Sequence, residues 1–532
     1  MGKVGDTMFK KTIRAFTAAA TIAVFSAGSA FAQTVVLKAN DGSVDVTGEL
    51  ISFEDGFYTI QTLLGQMRMS ASRVSCDGDA CPQSVVEVAA TDFSITGSDT
   101  VGDELMPLLL EGFASAINAE ADIVTASDPA IKVATLVGDQ GFGDPFAAVL
   151  VHSTGSSAGF TDLLEGTAEI SMASRRIRPV EARALRDAGA GSMIDIKQEH
   201  VIAVDSLLVI VSQSNPIETL SIEQIAGIYS GSITNWSEVG GSDLVINVYT
   251  RATGSGTEST FSGRMLAPLE LSTRLDATVI DTNIAMSRAV VEDPAGIGYA
   301  GYAFQRGAKS LNLVSECGIR TRPDKFSAKT EEYPLQRRLY VYNRVDTISE
   351  SAQEFLDYVT TDAADGLVSK SGFIDLSIER QPQSNAGGRM RGLIRSATDQ
   401  YEVSLMRQLL VEMLDWDRLS TTFRFASGSN RMDAKALRDM ERLVAYLEGQ
   451  PTGTEVAIVG YTDNVGPFGS NQQLSEGRAS DVADILKEYA GDRLAGIGVS
   501  SMGFGELSPA DCNETDSGRE INRRVEIWIK NQ

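Results

Sequence analysis

Arg251-Ala252-Thr253-Gly254-Ser255-Gly256-Thr257, running through Glu258 to Phe261, is the stretch on which the fold turns. It holds one strong cation, glycines that let backbone approach a ligand, and the hydroxyls of Ser255 and Thr257. A Gly-Ser-Gly-Thr turn entering a helix presents unpaired N–H groups at the positive end of that helix, and such an end receives an oxyanion. Arginine adds a planar fork that matches phosphate or carboxylate oxygens. Glycine-serine turns also occur in plain surface loops, so the surroundings decide the reading.

Those surroundings are of one kind. An apolar strand over 245–249 leads into the motif, a helix is predicted over 221–230, and 200–211 reads as a strand run. Further upstream, 93–96 reads as a strand and 102–118 as a helix. From about 92 to 380 strands alternate with helices, which argues α/β with ligands at strand ends. Three more hydroxyl-rich turns lie before predicted helices: Thr96-Gly97-Ser98-Asp99-Thr100-Val101, Ser153-Thr154-Gly155-Ser156-Ser157-Ala158-Gly159, and Ser171-Met172-Ala173-Ser174-Arg175-Arg176. Converging on one cleft, such turns would ring an oxyanion with N–H and O–H donors.

Together with Ile228-Tyr229-Ser230-Gly231, Asn235-Trp236, and Pro294-Ala295-Gly296-Ile297-Gly298-Tyr299 with Tyr302, these segments resemble the PstS-type phosphate-binding periplasmic proteins. The resemblance covers residues 91–380. It implies two α/β lobes of the type II periplasmic-binding-protein kind, closing over the ligand. It carries ligand contacts onto Thr100, Val101, Ser156, Arg251, Ser255, Gly256 and Thr257. Two positions depart: Arg175 and Thr253 stand where well-known members have Asp. The first of those acids accepts the proton of hydrogen phosphate and so rejects sulfate. Arg175 would instead attract any anion, which weakens the expected selectivity. Asp99 is a substitute acceptor or, the favoured reading, a helix cap.

Gly155-Ser156-Ser157-Ala158-Gly159 also fits the G-x-S-x-G nucleophile elbow, with Ser157 as the nucleophile. A triad needs an acid and then a histidine downstream. Only His200 qualifies, so a hydrolase is the third choice.

The last segment reads strand (421–425), helix (433–448), strand (455–461), helix (471–489), strand (496–502), strand (524–530). Gly460-Tyr461-Thr462-Asp463-Asn464-x-Gly466, Asn471-x-x-Leu474-Ser475-x-x-Arg478-Ala479, Gly503-Phe504-Gly505-Glu506, Gly518-Arg519 and Asn522-Arg523-Arg524-Val525 are widely spaced marks. They make 419–532 resemble the OmpA-like peptidoglycan-binding domain, an α/β module. The resemblance implies that Asp463 takes the ammonium and Arg478 the carboxylate of diaminopimelate, with Asn471 and Arg524 lining the pocket. An Asp463–Arg478 salt bridge that merely braces the fold is the alternative.

The ends and joints fill in the rest. Residues 1–32 read as a secretory signal peptide: Lys10, Lys11 and Arg14, an apolar run over 15–29, then Ala30-Phe31-Ala32 before Gln33. Met8 is an alternative start. No cysteine follows the cleavage site, so a lipid anchor is not indicated. Residues 33–90 alternate apolar and polar, with strands over 34–38, 43–53, 57–62 and 66–70, and read as a small β module. Residues 381–418 read as a linker followed by a helix carrying Val403, Met406, Leu409, Leu410 and Met413 on one face. Export permits disulfides, and Cys76 and Cys81 are close enough in sequence to pair. Cys317 and Cys512 have no obvious partner; free thiols are favoured over a bridge between domains.

The 532 residues carry a formal net charge of −25, which excludes a nucleic-acid binder. Anion capture must then rest on local groups. The whole chain is read as a multidomain, exported, non-catalytic binding protein, without cofactor or metal, in the periplasm of a Gram-negative envelope. Phosphate or a similar oxyanion and peptidoglycan are its expected partners. An ABC permease is left open, because a tether limits a receptor's reach. The runner-up is a wall-bound structural or sensing protein whose cleft takes another ligand or none.

Overall fold

A computed structural model describes residues 34–39, 45–54, 57–71, 74–78, 80–81, 91–253, 255–382, 399–425 and 432–531. The predicted signal peptide and residues 383–398 of the predicted linker lie outside the described residues. The chain divides into two compact units, one with the strands between 34 and 77, the other with everything from 91 onward.

The first unit is a five-stranded antiparallel sheet in the order Gly65–Ser70, Phe57–Thr62, Asp45–Glu54, Thr34–Ala39, Val74–Asp77. Alternate residues Val35 and Leu37, Tyr58 and Ile60 face inward, as the period of a strand requires. The fifth strand was not read from the sequence. It carries Cys76, which is bonded to Cys81.

The second unit is organised on Glu199–Val211, thirteen residues all buried. A strand covered on both faces reads as a continuous apolar run rather than an alternation. Its first half pairs with Gln336–Asn343 and its second half with Gly296–Gly301. The chain enters the second lobe along the first of these strands and returns along Gln336–Asn343. In the first lobe, Ile170–Ala173, Phe93–Gly97 and Pro145–Ser153 are parallel neighbours. In the second, Asn247–Arg251 lies parallel to Gly296–Gly301 and Thr278–Ile280. Parallel strands followed by helices bring their C-terminal turns to the cleft. The motif aromatics are core. Tyr229, Trp236, Phe261 and Tyr299 are buried together, with Phe261 stacked on Tyr299 at 4.0 Å between ring centres.

The C-terminal domain has strands in the order Arg380–Pro382, Trp416–Arg424, Arg524–Lys530, Glu455–Tyr461, Gly498–Gly503. Ala434–Glu448 and Phe468–Ala490 cover one face, through Leu443, Val482 and Leu486 against Val456, Ile458 and Ile527. Gln400–Glu412 covers the other, through Met406 and Leu409 against Ala457, Val459 and Trp528. This corrects the linker reading of 381–418: the helix and the edge strand are parts of the domain. The expected free thiols are also corrected, since Cys317 and Cys512 are bonded across the two domains.

Candidate functional site

Arg251 ends its strand almost wholly buried, at 5% exposure. Its backbone N–H donates to the Tyr299 hydroxyl at 3.2 Å, and its Nη2 donates to the Asp281 carbonyl at 2.7 Å. The Asp99 carboxylate lies 3.6 Å from Nη2. Nε and Nη1 are buried without a partner among the described residues. Burial pulls the Arg251 pKa below its ordinary value, and Asp99 opposes that pull.

Ser255 caps the next helix, its hydroxyl accepting from Thr257 N–H at 3.2 Å. Gly256 is where backbone must come close: a Cβ there would meet Ser174 Oγ at 2.3 Å. Ser174 N–H donates to Ser156 Oγ at 3.1 Å, so two first-lobe turns are joined where Gly256 of the second lobe comes against Ser174. The centre is Arg337, on the returning strand, which the sequence reading missed. Its Nη2 donates to Asp205 at 2.8 Å and lies 3.3 Å from both Thr100 Oγ1 in the first lobe and Thr257 Oγ1 in the second. Its Nη1 is buried without a partner among the described residues. Its only sequence signal was the pair Arg337-Arg338 leading into the apolar stretch Leu339-Tyr340-Val341-Tyr342.

Thr100, Ser156, Arg251, Gly256 and Thr257 therefore come together, with Ser255 capping alongside. Three readings are corrected. Val101 has its side chain in the core and its N–H on the Ser98 carbonyl at 3.1 Å, leaving no group for a ligand. Asp99 is not the cap: Ser98 holds that position, and Asp99 faces Arg251. Arg175 is not a free cation. Its guanidinium is held by both Glu181 oxygens at 2.6 and 2.9 Å and donates to Ser157 Oγ at 2.9 Å.

In the C-terminal domain Asp463, Asn471 and Arg478 lie close together. Asn471 Nδ2 donates to the Asp463 carbonyl at 3.2 Å. Arg478 is 3% exposed, lies 5.5 Å over the Phe425 ring, and has Nε and Nη1 buried without a partner among the described residues. Burial lowers its pKa and the neighbouring Arg523 lowers it further, against Asp463. Asp463 is paired, but with Arg523 at 2.7 Å. Among the described residues there is no Asp463–Arg478 ion pair. Arg524 is a correction: it is fully buried, donates to Glu526 at 2.7 Å and to the Ser508 carbonyl at 2.7 Å, and stacks on Tyr461. Its neighbour Arg523 is the arginine that meets Asp463.

Residues 113–363 match the PBP superfamily domain, and residues 424–523 match the OmpA family. The chain joins a PBP domain to an OmpA domain. The phosphate-binding protein PstS of Borreliella burgdorferi is 28% identical over 235 residues, 43% of this chain and 80% of that protein. The Bacillus subtilis protein of the same name is 26% identical over 235 residues, 44% of this chain and 73% of its own length. An ABC-type phosphate transport receptor from Vibrio cholerae is 25% identical in a structural superposition, covering 53% of this chain and 99% of that one, with a TM-score of 0.41.

The PBP cleft balances its charge internally, Arg251 against Asp99 and Arg337 against Asp205. Buried donors without partners are costly, so the open nitrogens of both arginines define where an acceptor would be stabilised. The OmpA pocket offers the same logic at Arg478, with the Asp463 carboxylate beside it. No helix among the described residues is long and apolar enough to cross a membrane.

Proposed function

We propose that the PBP domain captures phosphate between its lobes, through Arg251, Arg337, Thr100, Ser156, Gly256 and Thr257, while the OmpA domain holds the molecule on peptidoglycan. The observation that carries this reading is Arg337, buried at the hinge and reaching hydroxyls of both lobes with one nitrogen still unbonded. The curated relatives, named as phosphate-binding proteins, support the same ligand. In the OmpA pocket the Asp463 carboxylate takes the ammonium of diaminopimelate and Arg478 its carboxylate. The molecule then works in the periplasm of an envelope whose wall contains that residue. An ABC permease is its partner only where the tether lets the PBP domain reach one.

The hydrolase alternative gains nothing from the surroundings of Ser157. Its Oγ accepts from Arg175, and His200 faces Asn343 at 3.0 Å.

Calorimetry of the full chain with phosphate and sulfate tests the first site, and sedimentation with purified peptidoglycan tests the second. Phosphate should bind and the protein should pellet with the wall. Absence of phosphate binding, or phosphate binding undiminished in Arg251→Ala, removes the cleft assignment. A protein that stays in the supernatant removes the tether.

A further inference from the structure

The OmpA domain is bonded to both lobes of the PBP domain and to the hinge between them. On the first lobe, Arg442 lies 3.8 Å from Asp365, both nearly buried. At the hinge, Arg338 of the returning strand gives Nη1 to Asp433 at 2.8 Å and its other nitrogens to Glu331. Arg424 reaches Glu331 from the OmpA side at 3.2 Å. On the second lobe the contact is covalent. Cys317, in the turn between Asn312–Val314 and Arg320–Thr321, is bonded to Cys512, and Ser315 Oγ donates to Asp511 at 2.8 Å beside it.

Two-lobed binding domains close by moving one lobe against the other. A third body fixed to both lobes has to take up that movement. Ion pairs can slip; the Cys317–Cys512 bridge cannot. The segment Asp511-Cys512-Asn513 therefore follows the second lobe.

That same segment is hydrogen-bonded to the loop that carries Asp463. Asn513 Oδ1 accepts from Asn464 N–H at 3.3 Å and from Asn522 Nδ2 at 2.9 Å. Asn522 in turn accepts from Ala510 and Asp511 N–H at 2.7 and 3.1 Å. Arg523, next in the chain, holds Asp463. A displacement of the second lobe reaches Asp463 through four residues, and a ligand gripping Asp463 and Arg478 acts on the same residues in reverse.

We propose that phosphate binding and wall binding are thermodynamically linked through the Cys317–Cys512 bridge, so that the molecule reports phosphate occupancy to its wall domain. The linkage rests on the function proposed above for each site. Reciprocity requires that each ligand change the other's affinity by the same factor, commonly about 5–150-fold.

The test uses the full, disulfide-bonded chain, inorganic phosphate, and a soluble muropeptide containing diaminopimelate. Phosphate is titrated with and without muropeptide, and muropeptide with and without phosphate. A shift of about fivefold or more, equal in the two directions, is expected. It should fall below about twofold in Cys317→Ser/Cys512→Ser, checked for folding by circular dichroism. If both ligands bind alone and neither shifts the other, the linkage is wrong while the two sites stand. A ligand that fails to bind alone removes that site and the linkage with it. A shift that persists unchanged in the folded double variant overturns the role of the bridge. Should the double variant not fold, Ser315→Ala/Asp511→Asn, which keeps the bridge, is expected to retain the shift, and its loss there also overturns the bridge's role.

Discussion

Arg175 gives its guanidinium to Glu181, whereas Arg337 keeps one nitrogen buried and unbonded among hydroxyls of both lobes. Both guanidiniums meet a carboxylate, that of Asp205 for Arg337, but of the two Arg337 keeps a buried donor with no partner among the described residues, and a desolvated donor has much left for a ligand. Arg337→Gln should therefore weaken phosphate binding by about 2–5 kcal/mol, the range for truncating one partner of a buried charged pair. Arg175→Gln should leave the affinity within about threefold, less than about 1 kcal/mol. Calorimetry on both variants decides, and the reverse order of effects would put the anion at Arg175. The same contrast separates Arg478 from Arg524. Arg478→Ala should fold and stop pelleting with peptidoglycan. Arg524→Ala removes the closest cation of the buried Glu526, leaving Arg418 at 3.4 Å, and should destabilise the domain by about 1–3 kcal/mol in a denaturant melt. A folded Arg478→Ala that still pellets would sink the pocket. Arg251 was legible because glycines and hydroxyls stand next to it in sequence. Arg337 was not, because Thr100, Asp205 and Thr257 stand 237, 132 and 80 positions away.

Among elements, the hinge-side cluster of Glu331, Arg338, Arg424 and Asp433 is the one whose charge sets a pH limit. Burial alone would raise the Glu331 pKa; Arg338, Lys435 and Arg424 reverse this and hold it well below the ordinary carboxylate value. Asp433 is lowered too, by Arg338 against its own burial. A depressed carboxylate contributes stability that is present above its unfolded pKa, about 4.3 for Glu, and is lost as pH falls toward its folded value. Thermal melts should then be flat in this contribution above about pH 5 and fall steeply below about pH 4. Glu331→Gln should lower the melting temperature at pH 7 and flatten the acid limb. An unchanged acid limb in that variant would assign the slope to other groups. None of this cluster was readable, since pairing partners come from separate domains. The strand Glu199–Val211 was readable, because burial on both faces leaves the apolar runs Val201–Val204 and Leu207–Val211, interrupted only by Asp205 and Ser206. The misplaced helix Gln400–Glu412 has a lesson of the same kind. Val456-Ala457-Ile458-Val459 is apolar at every position, so the sheet needs a cover on each face, and two helices on one side could not supply both.

At the scale of the whole molecule, the order of domains was legible because each carries many spaced motif residues. The covalent link between them was not: four cysteines allow three pairings, and Cys317 and Cys512 are 195 positions apart. The overall charge makes a prediction of its own. The sequence carries −25, and phosphate arrives as an anion. In the cleft Arg251 faces Asp99 and Arg337 faces Asp205, so at a distance the arginines do little to offset that field. The field reaches about 30 Å at 0.01 M salt and about 8 Å at 0.15 M. Raising sodium chloride across that interval should therefore speed phosphate association, by roughly severalfold, the opposite of what steering between unlike charges gives. The dissociation rate should barely move, because the contacts that hold the ion are buried and weakly screened. Stopped-flow tryptophan fluorescence can follow both rates, with Trp236 buried in the second lobe as one reporter. An association rate that falls with salt would mean that a local positive field dominates the approach, and that the paired carboxylates do not mask the arginines.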